Sequence, residues 1–386
     1  MNFRSLALLA AIKLITLAAC QHQGQEASED NGNRDDITEK ARVLSLMESQ
    51  EYHTARIEKP WQGASESLTY HFPRQSGINP SGEGEIIDLP AEDIVCLSST
   101  CIAIMEQLDA TDKLVAISDI ENTSIEHIRE KVKEGTIKEV GEPHQLDFER
   151  LINVEPDLVI TYGSAEANRQ VKPRMERVGI DLVFFSEFME ERPLARAEWL
   201  KLAGSVLGKE DMADSIFRAI SNKYQDLREK AQNPEKKPTV FTGMDLGDTW
   251  FVPGGRSYKA NFIDHAGGRY IWEDNEEAGS LNLSFEEVYD KAKTGELWLV
   301  NSQGIRSPED LLTEDSRYQN FKAFKEGKIY NIHGGSREYG AYPYWDKGVM
   351  NPHWILADLI HIFHPDKLPD HELNFYRPLT SSEKAL

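Results

Sequence analysis

Between residues 211 and 232, Met212, Ala213, Ile216, Ala219, Ile220, Tyr224 and Leu227 recur at steps of three and four, while Asp214, Arg218, Asp226, Arg228 and Lys230 take the other face. That spacing predicts one amphipathic helix. Gly208 can close the helix before it, and Asn233-Pro234 stops it, because proline lacks an amide proton and pushes its predecessor out of helical backbone. At ~1.5 Å per residue it spans roughly 30 Å, the width of a small domain. A strut of that length divides the chain into an N-terminal and a C-terminal part, and both parts read alike.

With 386 residues there is enough chain for two sizeable cores, at about 150 residues per domain. A formal net charge of −22 argues against a nucleic-acid partner, which needs a basic stripe to meet phosphates. Mean hydropathy of −0.52 and the lack of a long apolar run past the N-terminus exclude a multi-span membrane protein.

The N-terminus points to export. Arg4 supplies a positive start, residues 5–17 form a short apolar segment broken only by Lys13, and Leu17-Ala18-Ala19-Cys20 comes next. That tetrapeptide resembles a bacterial lipobox, which makes Cys20 the expected lipidated residue and residues 1–20 a signal peptide. Residues 21–40, with almost nothing to bury, are expected to be a disordered tether. Cys96 and Cys101 can form a disulfide in an exported protein, or remain two buried thiols. They are too few to complete a metal site.

Residues 41–90 are expected to form an N-terminal hairpin extension, with alternating strands at 54–58 and 67–72 around the turn-like Trp61-Gln62-Gly63. A first lobe, 91–193, alternates strand and helix. Ile94-Val95-Cys96-Leu97 suits a strand buried on both faces, Ser98-Ser99-Thr100 offers a helix cap, and further strands fall at 114–117, 158–160 and 182–185. Linker helices fill 194–235. The rhythm restarts in a second lobe, 236–386, with strands at 239–241, 297–300 and 329–332, a helix at 258–265 and a last helix after Asn351-Pro352. The fold class expected is therefore α/β, two lobes with largely parallel sheets joined by one long helix.

Val140-Gly141-Glu142-Pro143, then Asp147-Phe148-Glu149-Arg150-Leu151 leading to Glu155-Pro156-Asp157-Leu158-Val159-Ile160, and Gly267-Gly268 resemble the substrate-binding proteins of ABC importers for iron-siderophores, haem or cobalamin. The resemblance covers residues 94–363. It implies a monomeric, lipid-anchored receptor without enzymatic activity or cofactor, whose partners are a small iron chelate, haem or corrinoid and an ABC permease dimer. It also implies that one glutamate on each lobe docks to permease arginines, at positions matching Glu149 and Glu286, with Glu287 as the alternative to Glu286. The resemblance further implies that the long helix is rigid, with the ligand cleft between the two lobes, and hence small shape changes on binding.

Ligands of α/β lobes sit beyond the C-terminal strand ends. In the first lobe this selects Ser99, Thr100, His144 and Tyr162, and in the second Trp250, Arg256, Ser257, Tyr258, Tyr344 and Trp345. Gly254-Gly255-Arg256-Ser257-Tyr258 is the sharpest group. Glycines admit a ligand to the backbone, a helix start directs its positive end there, and Arg256 suits a carboxylate or phosphate, unless it pairs with a neighbouring acid. Tyr339, Tyr342, Tyr344 and Trp345 suit stacking on a flat ligand, or packing of an irregular segment.

His353, His361, His364 and His371 cluster in sequence without the spacing of a metal set. An exported hydrolase is the catalytic rival, since His333-Gly334-Gly335-Ser336 resembles an oxyanion loop, but no nucleophile elbow, His-Glu-x-x-His, Walker loop or Cys-x-x-Cys accompanies it. A ligand-capturing or sensory lipoprotein without an importer is the non-catalytic one.

Overall fold

The structure, a computed structural model, describes residues 35–36, 38–75, 77–302, 304–334 and 342–381. Residues 1–20, expected as a signal peptide ending at Cys20, lie outside the described residues. No helix among the described residues is long and apolar enough to cross a membrane.

The first sheet is the N-terminal extension. Strands β1 (Asp35–Asp36), β2 (Leu44–Glu48), β3 (Tyr52–Ile57), β4 (Leu68–Pro73) and β5 (Glu85–Ile86) pair in that order, antiparallel except for β4 with β5. The expected pair of strands is thus the centre of a five-stranded sheet. β2 escapes a sequence reading because its Leu-Ser-Leu-Met-Glu alternation is only five residues long.

The next sheet is parallel, in the order β10-β9-β6-β7-β8, with β6 at Ile94–Cys96, β7 at Leu114–Ile117, β8 at Lys138–Glu139, β9 at Leu158–Tyr162 and β10 at Asp181–Phe185. Its crossovers carry α1 (Ser99–Gln107), α2 (Glu126–Lys133), α3 (Phe148–Asn153) and α4 (Lys172–Val178). The linker helices before the strut are two: α5 (Pro193–Ala197) and α6 (Leu200–Leu207). The break between them frees Glu198 and Trp199 to point inward.

Then comes the strut, α7 (Glu210–Ala231). Beyond it a second sheet is ordered β13-β11-β15-β16-β17, parallel apart from β17. It comprises β11 (Thr239–Thr242), β13 (Arg269–Tyr270), β15 (Leu297–Leu299), β16 (Ile329–Asn331) and β17 (Arg377–Pro378), while β12 (Trp250–Pro253) and β14 (Ser280–Leu283) form a separate antiparallel ribbon. Helices α8 (Tyr258–His265), α9 (Phe285–Ala292), α10 (Pro308–Glu314), α11 (Lys322–Lys325) and α12 (Pro352–Phe363) surround it.

Two hydrophobic cores result, one under each parallel sheet. The buried stripe of α7 is shared between them: Ala213 belongs to the first, Phe217, Ile220, Tyr224 and Ala231 to the second, and Ile216 packs against both. Burying each large side chain contributes about 1.5–3 kcal/mol, so the strut is held along its length.

The extension is fastened by carboxylates. Glu198, fully buried, accepts hydrogen bonds from the amides of Glu39, Lys40 and Ala41 at 2.7–2.8 Å. Glu190 accepts from the amides of Arg42 and Val43 and from Trp199 Nε1. Burial pushes the Glu190 carboxyl above its ordinary range, and those donors pull it back. The tether reading therefore does not extend to Glu39 and Lys40.

Helices α6 and α7 meet at Gly204, where a Cβ would lie 2.6 Å from Ala213 Cβ. Gly204→Val is expected to cost about 1–3 kcal/mol through overpacking and to lower the calorimetric midpoint. An unchanged midpoint would mean that the two helices are not locked there.

Candidate functional site

In an open parallel sheet a crevice forms beyond the C-terminal strand ends where the strand order reverses, because the loops on either side run to opposite faces. The reversal falls between β6 and β9 in the first lobe and between β11 and β15 in the second.

The first crevice is bordered by the start of α1 and the end of β9. Ser98 caps α1, its Oγ accepting from Cys101 N at 3.1 Å, and Ser99 and Thr100 open the helix with Thr100 buried. Cys96 and Cys101 are disulfide-bonded, which joins the end of β6 to the first turn of α1. Tyr162 is half-buried, and burial, then Glu142 and Glu166, hold its phenol above the usual range. His144 stands exposed on the short turn Pro143–Gln145.

The second crevice is a pocket of about 200 Å³. Met244, Leu246, Phe251 and Val300 give it apolar walls, Asn301 and Ser302 a polar edge, and Lys259 a cation. Leu246 and Phe251 are 59% and 44% exposed, unusual for side chains of that size. Lys259 Nζ lies 5.0 Å from the centroid of Trp345, and no carboxylate among the described residues pairs with it. It sits in the first turn of α8, where a cation opposes the helix dipole and an anion is favoured. The pocket is thus suited to an anionic group carried on an apolar or aromatic body.

Several expected ligand residues are occupied elsewhere. Arg256 is exposed, and its Nη2 meets both oxygens of Glu191 at 3.1 Å, so its charge is already matched. Gly254 and Gly255 leave no room for a ligand, because a Cβ would overlap the carbonyls of Glu277 and of Asn275, respectively. Ser257 is the buried cap of α8, accepting from Ala260 N. Tyr258 lies under the Arg196 guanidinium at 4.3 Å. Trp250 is fully buried in an aromatic core with Trp298, Tyr318 and Phe321, its Nε1 donating to Thr242 O at 3.0 Å. Tyr344 is buried against Trp345, Phe375 and Tyr376, and Tyr342 is buried too, while Tyr339 lies outside the described residues. Ser99 and Tyr162 border the first crevice, and Trp345, half-buried against Tyr344, reaches the second only through Lys259. Lys259 escaped the sequence reading, although a lysine in a first helical turn is the signal that could have found it.

Glu149 is exposed in the first turn of α3 without an ion-pair partner among the described residues. Glu286 is exposed on α9 and meets Arg317 Nη1 at 3.0 Å. Glu287 is committed to the capping box with Ser284, which leaves Glu286 as the outward acid.

The histidines hold structure. His361 contacts Leu368 O, His364 contacts Gly267 O, and His371 Nε2 meets Asp358 Oδ1 at 2.7 Å. Burial lowers His353 to about 4. Among the described residues no cluster of His, Cys, Asp and Glu is arranged for a metal. Gly334 of the oxyanion-like run packs against Phe375 O, and Gly335 and Ser336 lie outside the described residues.

Two α/β lobes, a strut between them and a crevice on each make the comparison with known proteins direct. A family model described as periplasmic binding protein matches residues 94–334. The chain belongs to that family. An uncharacterized lipoprotein of Methanocaldococcus jannaschii is 25% identical over 301 residues, covering 76% of this chain and 70% of the relative. Among solved structures with the periplasmic binding protein fold, the haem-binding protein RhuT of Roseiflexus sp. RS-1 aligns with TM-score 0.55 and 18% identity over 72% of this chain and all of that one. An ABC transporter substrate-binding protein of Listeria monocytogenes EGD-e aligns with TM-score 0.54 and 17% identity, again over 72% and 100%.

If Lys259 is kept for a ligand and not for the fold, Lys259→Glu should leave stability to denaturant unchanged or raise it by up to about 1 kcal/mol, since an acid suits a first helical turn. A loss of more than about 1 kcal/mol would make Lys259 a structural residue.

Proposed function

We propose that this periplasmic binding protein is the lipid-anchored receptor of an ABC importer, capturing an iron chelate, haem or cobalamin between its lobes and passing it to a permease. The observation that carries the reading is Lys259, a cation without a carboxylate partner among the described residues, beside Trp345 and exposed apolar side chains at the switch point of the second sheet. A flat or bulky ligand with an anionic arm satisfies all three features: the arm meets Lys259 and the amides of α8, and the body covers Leu246, Phe251 and Trp345. Ser99, Thr100, Tyr162 and His144 are the facing groups of the first lobe. Anchoring at Cys20 is supported by the Leu17-Ala18-Ala19-Cys20 run and by a relative that is itself called a lipoprotein.

Titration of the purified chain with haemin, a ferric tris-catecholate chelate and cyanocobalamin, followed by absorption and calorimetry, tests the ligand class. One of the three is expected to bind, with affinity falling at least about tenfold in Lys259→Gln as a charge-assisted contact is lost. Binding of none, or an unaffected Lys259→Gln, would overturn the assignment.

Docking is assigned to Glu149 and Glu286, acids on opposite lobes kept at a set separation by α7, which gives orientation-specific, releasable attraction to a basic partner. Reversing both, Glu149→Lys with Glu286→Lys, should abolish uptake in the host while leaving ligand affinity intact. Unchanged uptake would refute the assignment.

A further inference from the structure

The loop between β3 and β4 belongs to the extension, which precedes the matched family region that starts at residue 94. Its position is on the cleft side of the first lobe. A Cβ at Gly163, the residue after β9, would overlap Pro60 O and Ser186 Oγ, so the loop backbone rests directly on the ends of β9 and β10. Trp61 is buried, edge-on to Phe184 of β10 at 6.0 Å between centroids. Tyr70 of β4 accepts the amide of Phe184 on its hydroxyl at 3.3 Å. Residues 61–64 close a hydrogen-bonded turn, Ala64 N to Trp61 O at 3.1 Å, with Gly63 at φ +79° in the third position where a type II turn needs it.

The exposed tip of that turn is Gln62, and its Nε2 lies 4.0 Å from where a Cβ of Gly279 would stand. Gly279 is in the other lobe, next to Ser280, which lines the Lys259 pocket. The loop therefore starts on the first crevice and ends at the rim of the second. The extension that carries the loop is itself fastened, since two buried carboxylates, Glu190 and Glu198, hold the backbone of residues 39–43 ahead of β2. Buried charges cost several kcal/mol each to desolvate, a high cost for an appendage without a task.

We infer that residues 60–64 form a third wall of the cleft, closing it on the β9 and β10 side, and that Gln62 at the rim limits the size of ligand the cleft accepts. The inference rests on the cleft being the ligand site, as proposed above. A ligand seated on Lys259 and extending toward Tyr162 has the loop as its lateral boundary, so its girth on that side is set by the chain's own extension and not by either lobe.

The test uses the full chain and two kinds of readout. Gln62→Trp adds bulk at the tip and should weaken binding of the probe that the unaltered chain binds, among haemin, the ferric tris-catecholate and cyanocobalamin, by at least tenfold. Gln62→Ala should narrow the ratio of affinities between the best and next probe by threefold or more. Both substitutions are at an exposed turn position, and circular dichroism checks that they fold. Affinities of both variants within twofold of the unaltered chain for every probe would overturn the inference. If no probe binds the unaltered chain, the proposed function fails and hydrogen exchange decides the wall separately. Replacing residues 61–64 by Gly-Gly should speed exchange of the amides of 279–283 at least fivefold, and Gln62→Gly should do so in part. Unchanged exchange in both would show that the loop does not cover the second lobe.

Discussion

Everything else in this molecule depends on α7 burying one stripe against two different cores. Ala213 is held by the first, Phe217 to Ala231 by the second, and Ile216 by both, so bending the helix would break backbone hydrogen bonds and strip apolar surface together. The two crevices are therefore kept at a nearly constant separation. Further ties reinforce it: Arg256 to Glu191, Arg196 over Tyr258, and Ser124 N and Oγ to the buried Asp346 at 2.7 and 3.1 Å. Burial raises the Asp346 carboxyl above its usual range, with the Ser124 donors opposing that rise. Such a frame favours recognition by small adjustment over wide hinge closure.

A second theme is the use of buried carboxylates to hold backbone. Glu190 and Glu198 bind consecutive amides at the start of the described chain, and Asp358, fully buried in α12, accepts from Asn374, Phe375 and Tyr376 amides near its end. Each carboxylate has lone pairs for several donors, and amides that would otherwise lose water are satisfied at the same time. Lys201, 3.3 Å from Glu198 and itself buried, offsets part of the cost of the charge. None of this has a periodic signature, since a glutamate that binds amides more than a hundred positions away looks like any other glutamate in the sequence.

Legibility followed the range of the interaction. The strut, the strands β6, β7, β9, β10, β11, β15 and β16 and the cap at Ser98 depend on neighbours a few residues away, and they are where the local pattern places them, to within a residue or two, whereas β8, β13 and β17, each two residues long, are too short to show in it. The ribbon of β12 and β14 was not legible, because its strands are separated by α8 and β13 and neither alternates cleanly. In the segment from Gly254 to Lys259, residue type alone did not tell which cation would be paired. Arg256 looked like the anion contact, yet Glu191, sixty-five positions earlier, is its partner, while Lys259 three residues on is left facing the pocket.

The amino-acid order alone determined the α/β class and the two-lobe plan around a single long helix, since periodicity and caps are properties of neighbouring residues and need no partner from afar, and the family followed from the resemblance of the runs Val140 to Pro143 and Asp147 to Ile160. Only the tertiary structure decided which polar and aromatic groups remained available for a ligand. Trp250, Ser257 and Tyr344 were taken up by core packing and capping and Arg256 by an ion pair, whereas Lys259 has no carboxylate partner among the described residues and His144 is exposed. The reason is physical: availability is the remainder once every long-range contact has been made, and that remainder is not written in any local stretch.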